Sequence, residues 1–121
     1  MYMELLEELN TLGVDTSEGL DRVMEDRELY AMMLGMFLDA VREHDITPDD
    51  FDSGDMDALI QKVHTLKGVT GNLALTPLFE GYVETLGLLR AGDAARGKAR
   101  YENLLPAQAT IIDCIRRHQN N

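Results

Sequence analysis

Strand signals are almost missing from this sequence. β-Branched residues are sparse, and no alternating polar and apolar run is bounded by turn residues, which excludes a sheet as the organising element. The single cysteine, Cys114, excludes an internal disulfide and a cysteine-based zinc cluster. No apolar run reaches the roughly 18 residues of a membrane helix. The opening Met1-Tyr2-Met3-Glu4 has no basic stretch leading into an apolar one, so no secretory signal is expected. These three absences make a cytoplasmic setting the expectation. A glycine-rich phosphate cradle with its lysine is missing too, and with it the mark of a kinase or ATP site. Basic charge is scarce: the net charge is −11, which argues against nucleic acid as a partner, because phosphate binding needs a basic surface.

What is present is an apolar period close to that of a helix. The 121 residues are enough for one domain with one core. Tyr2, Leu5, Leu6, Leu9 and Leu12 share one face of a first helix that Gly13 ends. Asp15 and Glu18 have capping-box spacing ahead of a short helix through Leu20, Val23 and Met24. Asp26 caps a third helix with the stripe Leu29, Tyr30, Met33, Leu34, Phe37 and Val41. These N-terminal helices occupy 1–44. Residues 45–55 combine proline, glycine and dense acid, and are expected to be a loop. A helix over 56–73 follows, then one over 76–92, with Thr76 as cap and Pro77 in the first turn, and a last over 94–119 that Asp93 caps. Pro106 is expected to kink or split that last helix. The expected fold is all-α: an antiparallel four-helix bundle with additional short N-terminal helices.

Charge is unevenly spread. Residues 1–57 carry 17 acidic and 3 basic side chains, whereas residues 58–121 carry 5 acidic and 8 basic ones. The half that an anion could approach is the half containing His64. At about 100° per residue, Leu59, Val63, Leu66 and Thr70 cluster on one side of their helix, and His64 falls roughly 120° from the centre of that stripe. His64 is therefore expected on the flank. Lys67 and Gly68 lie one turn on and Gly71 nearly two. A glycine inside a helix costs about 1 kcal/mol relative to alanine. Two beside one histidine suggest a need for close approach. Neutral imidazole is a nucleophile near neutral pH, and attack on phosphorus would give a phosphoramidate, a covalent step shared between two partners. Lys67 would screen the phosphoryl charge.

His64-Thr65-Leu66-Lys67-Gly68, followed by Gly71-Asn72-Leu73, resembles the signature of histidine-containing phosphotransfer (HPt) domains of bacterial multistep phosphorelays. Gly13-Val14-Asp15 to Leu20 and Glu28-Leu29-Tyr30 to Phe37 resemble that family's lead-in, and Leu88-Leu89-Arg90-Ala91-Gly92-Asp93 the end of its next helix. The similarity covers residues 12–93 and is weaker beyond. It implies a four-helix bundle with His64 as phosphoacceptor, Lys67 as charge partner and Gly68 as the small residue that makes room. The implied partners are response-regulator receiver domains and a sensor (hybrid) histidine kinase, with no membrane and no nucleic acid. No cofactor or metal is implied for this chain; Mg²⁺ would belong to the receiver. Two positions depart from the family pattern. Ala74 stands where glycine is frequent, and Leu86 where many members place the Gln or Glu that hydrogen-bonds the imidazole. Gln61, Tyr82 or water remain as candidates to orient His64.

Taken singly, each of these residues has a plainer reading: a histidine on a surface, a solvated lysine, glycines that let helices pack. The conjunction at this spacing is what favours function. His44 and His118 lack such a setting and are expected at the surface. The seven methionines are expected to fill the core and Cys114 to be inert within it. The reading that results is a phosphocarrier without a kinase site of its own. Two alternatives stay open: a helical adaptor that binds a receiver or kinase without accepting phosphate, and the phosphoacceptor module of a chemotaxis-type histidine kinase. The motif does not separate the last from a free-standing carrier, which the chain's ends mildly favour.

Overall fold

Aspartates set four of the helix starts. Asp15, Asp26, Asp55 and Asp93 accept the amides of Glu18, Leu29, Ala58 and Arg96 at 3.0–3.1 Å. Each satisfies one orphan amide and places negative charge at the positive end of the helix dipole. In the computed structural model, which describes residues 2–119 with side chains from Leu5 onward except Ser53, the helices are α1 (Tyr2–Thr11), α2 (Thr16–Arg22), α3 (Arg27–Glu43), α4 (Pro48–Ser53), α5 (Met56–Asn72), α6 (Thr76–Arg90) and α7 (Ala94–Gln119). No strand occurs among the described residues. The side chain of Tyr2, expected on the apolar face of α1, lies outside them.

Four helices end the same way. After α1, α2, α5 and α6 the chain turns left-handed at Gly13 (φ 90°), Met24 (56°, followed by Glu25 at 63°), Ala74 (56°) and Gly92 (81°). The amide of the following residue then reaches back to the carbonyl of Leu9, Leu20, Thr70 or Leu88 at 2.8–3.1 Å, closing a Schellman motif. Only two of the four positions hold the glycine that makes such an ending legible in sequence. The apolar run therefore suggested that Met24 continued the second helix. It stands instead beyond the end, 91% exposed.

One core runs through the described residues. Tyr30, Leu34 and Phe37 of α3, Leu59, Val63 and Leu66 of α5, Leu78 and Tyr82 of α6, and Ile111 and Ile115 of α7 are fully buried. Helix α3 lies against α5 and α7, α5 against α6, and α6 against α7; α1 and α4 pack on α7, and α2 on α1 and α3. Tyr30 ties the layers together. Its ring fills the space over Gly19, and its hydroxyl donates to the Leu73 carbonyl at 2.8 Å. Burial pushes that phenol up to about 12, with the Asp15 charge adding to the effect.

The expected loop over 45–55 contains a helix. Thr47 and Asp50 form a capping box around Pro48, with the Thr47 amide donating to Asp50 Oδ2 at 2.8 Å. Ile46 and Phe51 are buried, and the Phe51 ring lies 5.6 Å from that of Tyr101. Lys62 Nζ donates to the Asp45 carbonyl at 2.7 Å, and Lys98 pairs with Asp52 at 2.9 Å. Density of acid concealed two core residues and two lysine partners supplied from distant helices.

Other expectations shift as well. Thr76 is the first residue of α6 rather than its cap, which is Leu75. Pro106 does not split α7. Its ring faces solvent, so the carbonyl that loses its partner is on the wet side, where water can serve it. Met32 and Met36 are 59% exposed, so they, like Met24, do not fill the core; the side chains of Met1 and Met3 lie outside the described residues. His44 is half-buried at the end of α3. His118 is nine-tenths buried, its Nε2 3.3 Å from Glu8 Oε1. No helix among the described residues is long and apolar enough to cross a membrane.

Candidate functional site

Helix α5 is oriented by its stripe. Leu59, Val63, Leu66 and Thr70 are buried, and fully burying a Val or Leu side chain is worth about 1.5–3 kcal/mol. Turning the helix to hide His64 would expose at least one of them, so the core holds the imidazole outside. His64 is exposed, and among the described residues no side chain or carbonyl hydrogen-bonds either ring nitrogen. Lys67 is half-buried, and its ammonium forms no ion pair among the described residues. A nucleophile and an uncommitted cation thus lie one turn apart on the same flank.

The two glycines separate in role. An ideal Cβ placed on Gly68 meets nothing within 4 Å. The surface there is open, and packing within this chain does not require a glycine. At Gly71 a Cβ would lie 2.9 Å from a Phe79 ring carbon. Gly71, expected to ease access to His64, instead lets α6 approach α5. Gly87 on α6 resembles Gly68 in having open space.

The accessory residues are not brought to the imidazole. Tyr82 is fully buried and donates its hydroxyl to Gln108 Oε1 on α7. Burial pushes its phenol strongly upward. Its ring serves the core, which overturns its assignment as a partner of His64. Gln61 is exposed and forms no hydrogen bond among the described residues. Leu86 is buried.

Two features near Lys67 and Gly68 escaped the sequence. The Arg22 guanidinium, carried by α2, donates to the Gly71 carbonyl and pairs with Glu18 at 2.6 Å. It faces a groove of about 500 Å³ lined also by Lys67, Gly68, Gly71, Phe79 and Glu80. The i,i+4 spacing of Glu18 and Arg22 was visible, but the approach of α2 to α5 spans 49 residues of chain. The second feature is Val83, 41% exposed on α6. The three-residue turn after α5 sends α6 back along it, and Phe79 sits beside Gly71. Advancing one turn on each helix places Val83 at the level of Lys67 and Gly68. The site therefore combines imidazole, ammonium, guanidinium and a small apolar patch, all reachable from solvent. A comparison with family models, with curated proteins and with solved structures finds no match to the chain.

Proposed function

We propose that this chain is a histidine-containing phosphotransfer domain, which accepts a phosphoryl group on His64 and exchanges it with an aspartate of a response-regulator receiver domain. The observation that carries the reading is the open flank of α5: an exposed, unpaired His64 with Lys67 and the unobstructed Gly68 one turn away. In the forward step an imidazole nitrogen attacks phosphorus, a P–N bond forms, the P–O bond to the receiver aspartate breaks, and the carboxylate leaves. The phosphoryl group brings a charge near −2, which Lys67 would offset. The same step run backward returns the group to the receiver, and Mg²⁺ would be bound by that partner. A cytoplasmic setting and a sensor kinase upstream belong to the same reading.

The fold this function calls for is a four-helix bundle. Its support is a closed ring of packed neighbours: α3 on α5, α5 on α6, α6 on α7, and α7 back on α3. Helices α1, α2 and α4 would be additions to that ring.

One observation favours the adaptor alternative, in which the same face binds a receiver without chemistry: with Leu86 and Tyr82 both in the core, no side chain among the described residues orients the imidazole. The two readings part in one experiment. The chain is incubated with a phosphorylated receiver domain, and its intact mass and the acid and base stability of the product are measured. An acid-labile, base-stable gain of one phosphoryl group, absent in His64→Gln with the fold retained, supports the carrier. Binding without mass gain supports the adaptor, and phosphorylation that persists in His64→Gln removes His64 from the mechanism.

A further inference from the structure

Among residues given no role above, three donors of different chemistry meet between α1 and α7. Cys114 and His118 are one turn apart on α7 and share a face. Glu8 reaches them from α1. One ligand atom from each lies within 4.8 Å of the other two. Cys114 is fully buried, His118 is nine-tenths buried, and Glu8 is one-third exposed. His118 presents Nε2 to Glu8 Oε1 at 3.3 Å, while its Nδ1 is buried with no partner.

We infer that Glu8, Cys114 and His118 form a binding site for a borderline-soft divalent cation such as Zn²⁺. The argument is one of size and donor type. Zinc bonds of about 2.0–2.3 Å at tetrahedral angles put neighbouring donor atoms roughly 3.3–3.6 Å apart. The His118–Glu8 separation already has that value, and the other separations, all within 4.8 Å, would reach it with a contraction of at most about 1.3 Å. Sulfur and imidazole together select zinc-like ions over magnesium or calcium, which take oxygen. Three protein donors leave a fourth position for water, the arrangement of an open site. On binding, the Cys114 thiol releases its proton to solvent and the sulfur lone pair goes to the metal.

Arg117 fits this picture as an outer-sphere group. It donates to both Glu8 oxygens, closely to Oε2 and at 3.3 Å to Oε1, and is also held by Asp113 at 3.0 Å. A carboxylate has about four lone-pair sites, so Glu8 can turn Oε1 to a cation while Oε2 keeps Arg117. Hydrogen-bonded carboxylates are the usual supports of metal ligands. The exposed edge of Glu8 is the route in. A metal here would staple the first helix to the last.

The test uses the full chain, reduced and metal-free, titrated with cobalt chloride and then zinc chloride. One Co²⁺ per chain is expected, with a thiolate-to-cobalt charge-transfer band and tetrahedral-type visible absorption that Zn²⁺ bleaches. Zn²⁺ should also raise the melting temperature by mass action. Cys114→Ala should abolish the charge-transfer band, and His118→Gln and Glu8→Gln should weaken binding by roughly tenfold or more. His64→Gln should leave all of this unchanged, which keeps the result separate from the phosphotransfer reading. Circular dichroism verifies that each variant folds; should Cys114→Ala fail to fold, the His118 and Glu8 variants decide alone. Absence of the thiolate band at millimolar Co²⁺ overturns the inference. So does a band that His118→Gln leaves untouched, or binding that disappears with His64.

Discussion

At Gly68 an added Cβ meets nothing within 4 Å, whereas at Gly71 it would lie 2.9 Å from Phe79, although the two are one turn apart on one helix. Opposite outcomes follow. Gly68→Gln should leave stability unchanged or raise it by about 0.5 kcal/mol, since glutamine is the better helix former, yet should block phosphoryl transfer by covering the flank of His64. Gly71→Ala gains about 1 kcal/mol of helix propensity and loses about 1–3 kcal/mol to overpacking, so a net loss is expected. Denaturant midpoints and transfer rates for both variants would check this; a Gly68→Gln protein that unfolds would show that the glycine serves packing. A third position belongs at the same scale. Ala74 sits at φ 56° where a Schellman ending prefers glycine. Relief of roughly 1–2 kcal/mol of left-handed strain against about 0.4–1 kcal/mol of added unfolded-state entropy predicts that Ala74→Gly stabilises by about 0.5 kcal/mol. A lowered midpoint would mean that the buried Ala74 methyl contributes more through packing than its backbone costs.

Among the elements, α4 is the most exposed to solution conditions. The Thr47 amide, and then the Lys62 ammonium, hold the Asp50 carboxyl below its ordinary range, with burial opposing them. A carboxyl whose folded pKa is depressed contributes stability above its unfolded value and loses it as the pH falls through and below that value, near 4. The gain is at most about 1 kcal/mol for one charge-assisted bond, and less here because the group is one-third exposed. Asp50→Asn should therefore lower the melting temperature at pH 7, and the difference should shrink as the pH falls below about 4 and vanish once the folded carboxyl is protonated. A difference that persists in acid would assign the effect to helix capping geometry instead of charge. Local hydrogen exchange at Phe51 would show whether α4 opens alone, since its core anchor and its lysine tethers come from α5 and α7.

For the whole molecule, the partner face is expected on α5 and α6 around His64, taking in Arg22 and Val83, with a transient interface of about 1,200 Å² or less. Chemical-shift mapping with a receiver domain tests this, and changes confined to residues 5–12 or 106–119 would refute it. Lys67 should matter to the phosphorylated state and not to the fold. Lys67 is half-buried but its ammonium forms no ion pair among the described residues, so its replacement should change stability by no more than about 0.5 kcal/mol. Lys67→Ala should leave melting nearly unchanged, slow phosphoryl uptake and shift the equilibrium towards the receiver. Added salt should reproduce part of that in wild type by screening an open site. With no side chain among the described residues on the imidazole, Leu86→Gln is the complementary variant: if it restores transfer lost in Lys67→Ala, the two groups stabilise the same adduct. Unaltered transfer in Lys67→Ala would leave the lysine as a solvated charge only.

The sequence by itself determined the helical class, three of the four aspartate caps, the stripe that turns α5 and therefore the outward placing of His64 with Lys67 and Gly68 beside it. Those are consequences of spacing within about two turns, where residue order and geometry are rigidly linked. Tertiary structure decided whatever joins distant parts of the chain. It drew Phe51 from an acidic segment into the core, gave Tyr82 to Gln108 rather than to His64, made Gly71 a seat for Phe79, and set Arg22 against the Gly71 carbonyl. It also brought His118, expected at the surface, into contact with Glu8 across 110 residues. None of these is legible in a local pattern, because each depends on which helix faces which, and that is fixed only when all the apolar stripes are buried together.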